Sequence, residues 1–108
     1  MNRYEVVFAP QAQEQLVALF QSIAQRASAS IADKYTQAIV DFCEDLATFP
    51  NRGVSRDDVR PGLKTTHYRG RTVIAYTVDE PAQRVAILGV YYGGQDYESR
   101  LSWDDDAP

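Results

Sequence analysis

Polar and apolar residues alternate over residues 3–8, with Tyr4, Val6 and Phe8 on one side, which predicts a short strand. Pro10 follows, and proline suits the first turn of a helix because the N–H it lacks has no partner there. Leu16, Leu19, Phe20, Ile23 and Ala27 then recur at helical spacing and draw one apolar stripe along residues 10–27. Ser28 and Ser30 interrupt it, and Ser30 with Asp33 three residues later is the expected cap of a second helix. The second stripe is Ile31, Tyr35, Ala38, Ile39, Phe42, Leu46 and Phe49, stopped by Pro50, Asn51 and Gly53. Two amphipathic helices joined by a few small residues form an antiparallel hairpin, and their stripes need a common partner.

That partner is a sheet. Residues 63–69, 71–78 and 84–92 are rich in β-branched and aromatic side chains. Gly70 separates the first two, and residues 79–83, with Pro81, separate the last two. Connections this short imply antiparallel neighbours. The expected domain is α+β in the order β-α-α-β-β-β, its helix hairpin on one face of a small, mainly antiparallel sheet. The first strand has two places at which it can join. With 108 residues the chain supports one core. Residues 1–102 read as that domain, and residues 103–108, holding Trp103, Asp104, Asp105 and Asp106, as an acidic tail.

Composition removes several classes. At 44% hydrophobic and 24% charged the chain matches an ordinary folded domain, so wholesale disorder is not expected. No apolar run suits a membrane helix, and the first ten residues lack a signal-peptide core. With Cys43 the sole cysteine, a reducing, cytoplasmic setting is expected. Cys43 and the sole histidine, His67, have the chemistry of a nucleophile–base pair. Cys43 lies within a helical pattern, however, where a small buried hydrophobe is the ordinary role. No phosphate-binding loop, zinc spacing or dinucleotide fingerprint occurs, and neither cofactor nor metal is expected.

Net charge changes the picture more. It is −4 overall, yet Arg52, Arg56, Arg60, Lys64, Arg69 and Arg71 stand within one stretch against Asp57 and Asp58. That stretch carries +4 and leaves −8 for the rest. Two readings are open: a positive face aimed at an anionic partner, or solvated edge residues that discourage aggregation.

Three stretches in this order resemble the RelE/ParE superfamily of toxins, also known as plasmid-stabilisation proteins. Arg60-Pro61-Gly62-Leu63-Lys64 resembles the start of the family's second strand. Arg71-Thr72-Val73-Ile74-Ala75-Tyr76-Thr77-Val78-Asp79 resembles its third, an arginine followed by an apolar run to tyrosine. Residues 85–98 resemble the fourth strand, a short turn and then Asp96-Tyr97-Glu98. The resemblance covers residues 4–101 and implies the toxin half of a type II toxin–antitoxin pair. The partner it implies is a ParD- or RelB-like antitoxin whose flexible segment wraps the toxin. The hairpin's outer surface, a sheet edge and Trp103 are the expected docking points for it.

The superfamily hosts two activities, so fold does not fix function. The RelE branch cuts mRNA on the ribosome, using the ribose 2′-hydroxyl as nucleophile. Such an endoribonuclease supplies a base, cations for the phosphorane charge and an acid for the leaving oxygen. Lys64, Arg69 and Arg71 are the candidate cations, His67 the base, and Tyr92 or Tyr97 the acid. Strand alternation puts Lys64 and His67 on opposite faces. After the fourth strand, where nuclease members carry a basic residue, this chain reads Tyr91-Tyr92-Gly93-Gly94-Gln95-Asp96. Loss of one such charge-stabilising donor costs roughly a hundredfold in rate. The ParE branch has no nuclease site and poisons DNA gyrase, and the resemblance lies nearer to it. The expected target contacts are Arg60, Lys64, Arg69, Arg71, Tyr92 and Tyr97. The alternatives are ribosome-dependent mRNA cleavage and a non-toxic co-repressor.

Overall fold

The structure is a computed structural model in which residues 3–93 and Leu101 are described. Its elements run β1 (Glu5–Phe8), α1 (Pro10–Arg26), α2 (Ala29–Glu44), a single 3-10 turn (Asp45–Ala47), β2 (Val54–Ser55), β3 (Lys64–Tyr68), β4 (Thr72–Asp79) and β5 (Arg84–Tyr92). They form one five-stranded sheet in the order β1-β5-β4-β3-β2. Strands β2 to β5 pair antiparallel in turn, and β1 lies parallel to β5, at the outer edge. This is the α+β domain that the hydrophobic pattern predicts, with the place of the first strand now fixed.

Four local features differ from the sequence expectation, each for a physical reason. The cap of α2 is Ser28, not Ser30: its backbone is extended and its hydroxyl accepts the Ile31 N–H at 3.1 Å. Ser30 already lies within the helix, where a capping geometry is lost. The helix also stops at Glu44, and the tighter 3-10 turn that follows changes the pitch of the stripe. Phe49 is thereby turned out to 63% exposure, while Leu46 remains fully buried. The basic linker contains an unforeseen strand, β2, in which Val54 and Ser55 pair with Thr65 and Lys64. Finally, β5 carries a bulge: Tyr76 of β4 faces Ile87, but Ala75 faces Gly89, which leaves Leu88 as an extra residue.

The bulge sets which side chains meet the helices. Val85 and Ile87 before it, and Val90 and Tyr92 after it, all join the core beneath α1 and α2. Simple alternation would have turned Val90 and Tyr92 away from that core. The same core holds Ala12 and Leu19 of α1, Ile39 and Cys43 of α2, and Tyr68, Ile74 and Tyr76 of the sheet. Tyr4, just before β1, and Val6 and Phe8 within it pack against its margin, as their alternation predicts.

The opposite face of the sheet has its own apolar cluster. Val59, Leu63, Ala75, Tyr91 and Leu101 are buried there, with Val73 and Leu88 partly buried against them. The loop that brings Val59 over the sheet is tied down by Asp57. The Ser55 hydroxyl donates to one of its carboxylate oxygens at 2.9 Å, and the Gly62 N–H donates to the other at 2.8 Å. Gly62 has φ +82°, a conformation that glycine adopts without a side-chain clash. These hydrogen bonds hold the Asp57 carboxyl below its ordinary pKa, the Gly62 N–H contributing most. Arg56 and Asp58 add an ion pair at 2.9 Å.

Candidate functional site

The side chains with the most distinctive arrangement lie where β3 turns into β4. Arg69, Gly70 and Arg71 make the connection, with Arg69 at φ +54° and Gly70 at φ +75°. Two left-handed residues in succession bend the chain sharply, and the turn carries an arginine on each side of its glycine. Register then sets three side chains abreast on the helix-facing side. Tyr68 of β3 pairs with Thr72 of β4, and Thr72 pairs with Tyr92 of β5.

Helix α2 closes over this row. The Tyr35 ring meets both Tyr68 and Tyr92 edge-on, at 6.1 Å between centroids in each case. Phe42, seven residues further along α2 and two turns away, meets Tyr68 at 5.2 Å. Edge-to-face packing of this kind is worth about 1 kcal/mol per pair beyond the area buried. The Thr72 hydroxyl lies inside the row, fully buried and with no hydrogen-bond partner.

Three arginines stand over these rings. The Arg69 guanidinium lies 5.3 Å from the centroid of Tyr68, Arg71 lies 5.8 Å from Tyr92, and Arg52 lies 5.2 Å from Phe42. All three are exposed, and none makes an ion pair with a described carboxylate. The result is a continuous four-ring cluster with a guanidinium over three of its rings.

The remaining candidates are dispersed. Lys64 opens β3, so about 13 Å of strand separates it from Tyr68. It shares the helix-facing side, whereas Leu63, Thr65 and the exposed His67 share the other. Arg60 lies in the loop over the outer face, its carbonyl accepting the Leu63 N–H at 3.0 Å. Tyr97, Trp103 and the acidic residues 104–106 lie outside the described residues. Cys43 is wholly buried, and that burial pushes its thiol up to about 12. A thiol so held stays protonated at neutral pH and is inert as a nucleophile.

Sequence reasoning named Arg69, Arg71 and Tyr92 but not Arg52, Tyr35, Phe42 or Tyr68. Tyr35 and Phe42 were legible only as members of the apolar stripe. What joins them to the arginines is the Tyr68–Thr72–Tyr92 register, a long-range fact that local pattern does not carry. A second latch lies nearby: Tyr76 is buried, and its hydroxyl accepts the Gly53 N–H at 2.9 Å. A Cβ at Gly53 would stand 2.5 Å from that hydroxyl and 2.7 Å from the Thr65 carbonyl oxygen.

Among the described residues no group of histidine, cysteine and carboxylate side chains is placed to hold a metal ion, and no helix is long and apolar enough to cross a membrane. Comparison with known proteins gives a family. Residues 6–97 match the sequence model of the ParE toxin of the type II toxin–antitoxin system parDE. A chain of the chromosomal ParDE system from P. aeruginosa superposes with a TM-score of 0.71 at 22% identity, over 84% of this chain and 97% of that one. A chain of the RelBE2 toxin–antitoxin complex from Mycobacterium tuberculosis gives 0.63 at 24% identity, over 85% and 93%. No match is found among curated proteins.

Proposed function

Because the chain belongs to the ParE toxin family of type II toxin–antitoxin systems, we propose that it stops growth by inhibiting DNA gyrase and thereby blocking replication. The observation that carries this reading is the apolar outer face of the sheet. Cleavage of mRNA calls for a base, an acid and cations converging on one phosphate. Here the outer face presents Val73, Ala75, Leu88 and Tyr91, and it is closed over by Val59, Leu63 and Leu101. Lys64 and His67 lie on opposite faces of β3, and Arg69 and Arg71 sit at its far end. Such a distribution supports a toxin that acts by contact with a protein. It also suits a chain of net charge −4, which a partner made largely of RNA would repel.

The target contacts we assign are Arg60, Lys64, Arg69, Arg71 and Tyr92, with Tyr97 beyond the described residues. A ParD- or RelB-like antitoxin completes the system, and Trp103 is assigned to its binding. The helix hairpin offers that partner an apolar groove lined by Leu16, Val17, Phe20, Thr36 and Val40. A segment that folds on binding is suited to such a surface.

The test is a supercoiling assay with purified gyrase and this protein, run beside a ribosome-dependent mRNA cleavage assay. Loss of supercoiling with trapped cleaved DNA is the expected result. Intact supercoiling together with codon-positioned cuts in mRNA would replace this reading with the ribonuclease one. Inactivity in both assays, with normal growth on expression in a susceptible bacterium, would favour the non-toxic co-repressor.

A further inference from the structure

We infer that the end of the sheet formed by the β3–β4 turn is a docking site for an acidic segment of a partner protein, gripped by Arg69 and Arg71 from a rigid floor of tyrosines. Exposed arginines are ordinarily mobile, and ordering them costs side-chain entropy. Here each guanidinium already rests on a ring, Arg69 on Tyr68 at 5.3 Å and Arg71 on Tyr92 at 5.8 Å. The rings in turn are held by Tyr35, which meets both of them edge-on at 6.1 Å. A guanidinium lying over a ring keeps its N–H edge free, and that edge forms two parallel hydrogen bonds to a carboxylate. Neither arginine meets a described carboxylate.

Spacing and charge choose the partner. Tyr68 and Tyr92 are two strands apart, which is roughly 10 Å, or about three residues of extended chain. The pair therefore suits two carboxylates set apart on one segment rather than a single small anion. Arg52, over Phe42 in the same ring cluster, extends the positive end for a further acid. A nucleic acid fits less well. The outward faces of Phe42, Tyr68 and Tyr92 already carry guanidinium groups, which leaves them unavailable for base stacking. A long polyanion would also meet the −8 borne by the rest of the chain. Such docking requires neither gyrase nor the ribosome as the target, and the assay below contains neither.

The probe is a fluorescein-labelled Glu-Gly-Ser repeat peptide, titrated with the full chain at low salt and followed by anisotropy. A labelled oligothymidylate of equal charge and a Gln-Gly-Ser repeat serve as comparisons. The glutamate peptide is expected to bind more tightly than either. The double variant Arg69→Asn, Arg71→Gln is expected to weaken it about tenfold, the loss of charge-assisted hydrogen bonds; asparagine tolerates the left-handed backbone of the turn. Arg3→Gln with Arg84→Gln removes the same charge at the other end of the sheet and is expected to change binding by about twofold or less. Arg69→Lys with Arg71→Lys keeps both the charge and the fold, and is expected to bind severalfold more weakly than the native chain. Equal weakening by the two charge-removing pairs would overturn the site, as would tighter binding of the oligothymidylate or no binding of the glutamate peptide. Full binding by the lysine variant would overturn the forked grip.

Discussion

On one face of the sheet, Ile74, Tyr76, Val85, Ile87 and Val90 meet two helices. On the other, Val73, Ala75, Leu88 and Tyr91 meet a loop and Leu101. Both faces are apolar, yet they are assembled by different physics. The helix side is built from periodic stripes, whose burial is additive along each element. The outer side depends on turn chemistry: a carboxylate that collects a hydroxyl and an N–H, a glycine at positive φ, and a valine set down from the middle of the loop. The contrast matters for function because a sheet face closed with hydrocarbon has no room for a charged catalytic set.

The largest expected effect separates the two cores directly. Ile39→Ala, at a fully buried position between helix and sheet, is expected to cost about 3–4 kcal/mol in urea unfolding. Leu63→Ala, equally buried on the outer side, is expected to cost nearer 2–3 kcal/mol, because a loop collapses into a cavity more readily than two helices do. Equal losses would erase the distinction. Next comes the latch that joins the linker to the helix side. Gly53→Ala drives a methyl against the Tyr76 hydroxyl and the Thr65 carbonyl, at an expected cost of about 2 kcal/mol in the same measurement. Tyr76→Phe removes only the Gly53 hydrogen bond, and about 1 kcal/mol is expected.

Thr72→Val should move stability the other way. It replaces a buried, unpartnered hydroxyl with a methyl of the same shape, and a gain of up to about 1 kcal/mol is expected. A loss would mean that this hydroxyl finds a partner in solution. The smallest effect concerns the outer loop and is read through pH. The folded state holds Asp57 below its ordinary pKa, so its contribution is fully present above the unfolded value near 4. It is lost as pH falls through the lower folded value. Unfolding of Asp57→Ala is therefore expected to depend less on pH in that acid window than unfolding of the native chain does. Parallel pH profiles would sink the idea.

The same contrast explains what could be read from the chain alone. Stripes and alternation gave the first helix, the start of the second, β1, β3, β4 and β5 to within a residue or two, because each is repeated along its element. They carried the second helix on to Phe49, however, where it ends at Glu44. The Ser28 cap, the two-residue β2 and the 3-10 turn that exposes Phe49 rest on single residues, and a pattern averages over those. The site was legible in part. Arg69, Arg71 and Tyr92 stand out as charge and aromaticity near turns, but Tyr35, Phe42 and Arg52 reach them only through pairings tens of residues apart. Lys64 reads as their neighbour in sequence and is separated from them by the length of a strand.

The bulge in β5 bears on which changes of length the chain can tolerate. Leu88 is the extra residue between Ile87 and Gly89, so its deletion would flatten β5 while leaving Val90 and Tyr92 facing the helices and Tyr91 facing outward. Deleting Ala86, two positions earlier, would also close the bulge, but it would turn Ile87 outward and set Leu88 in its place beneath the helices. The Leu88 deletion is therefore expected to keep a cooperative unfolding transition, and the Ala86 deletion, which sets Leu88 where Ile87 was, to unfold cooperatively at a stability lower by about 1 kcal/mol. The strand holds a spare residue, and a frame that carries one can lose it without rewriting the faces on either side.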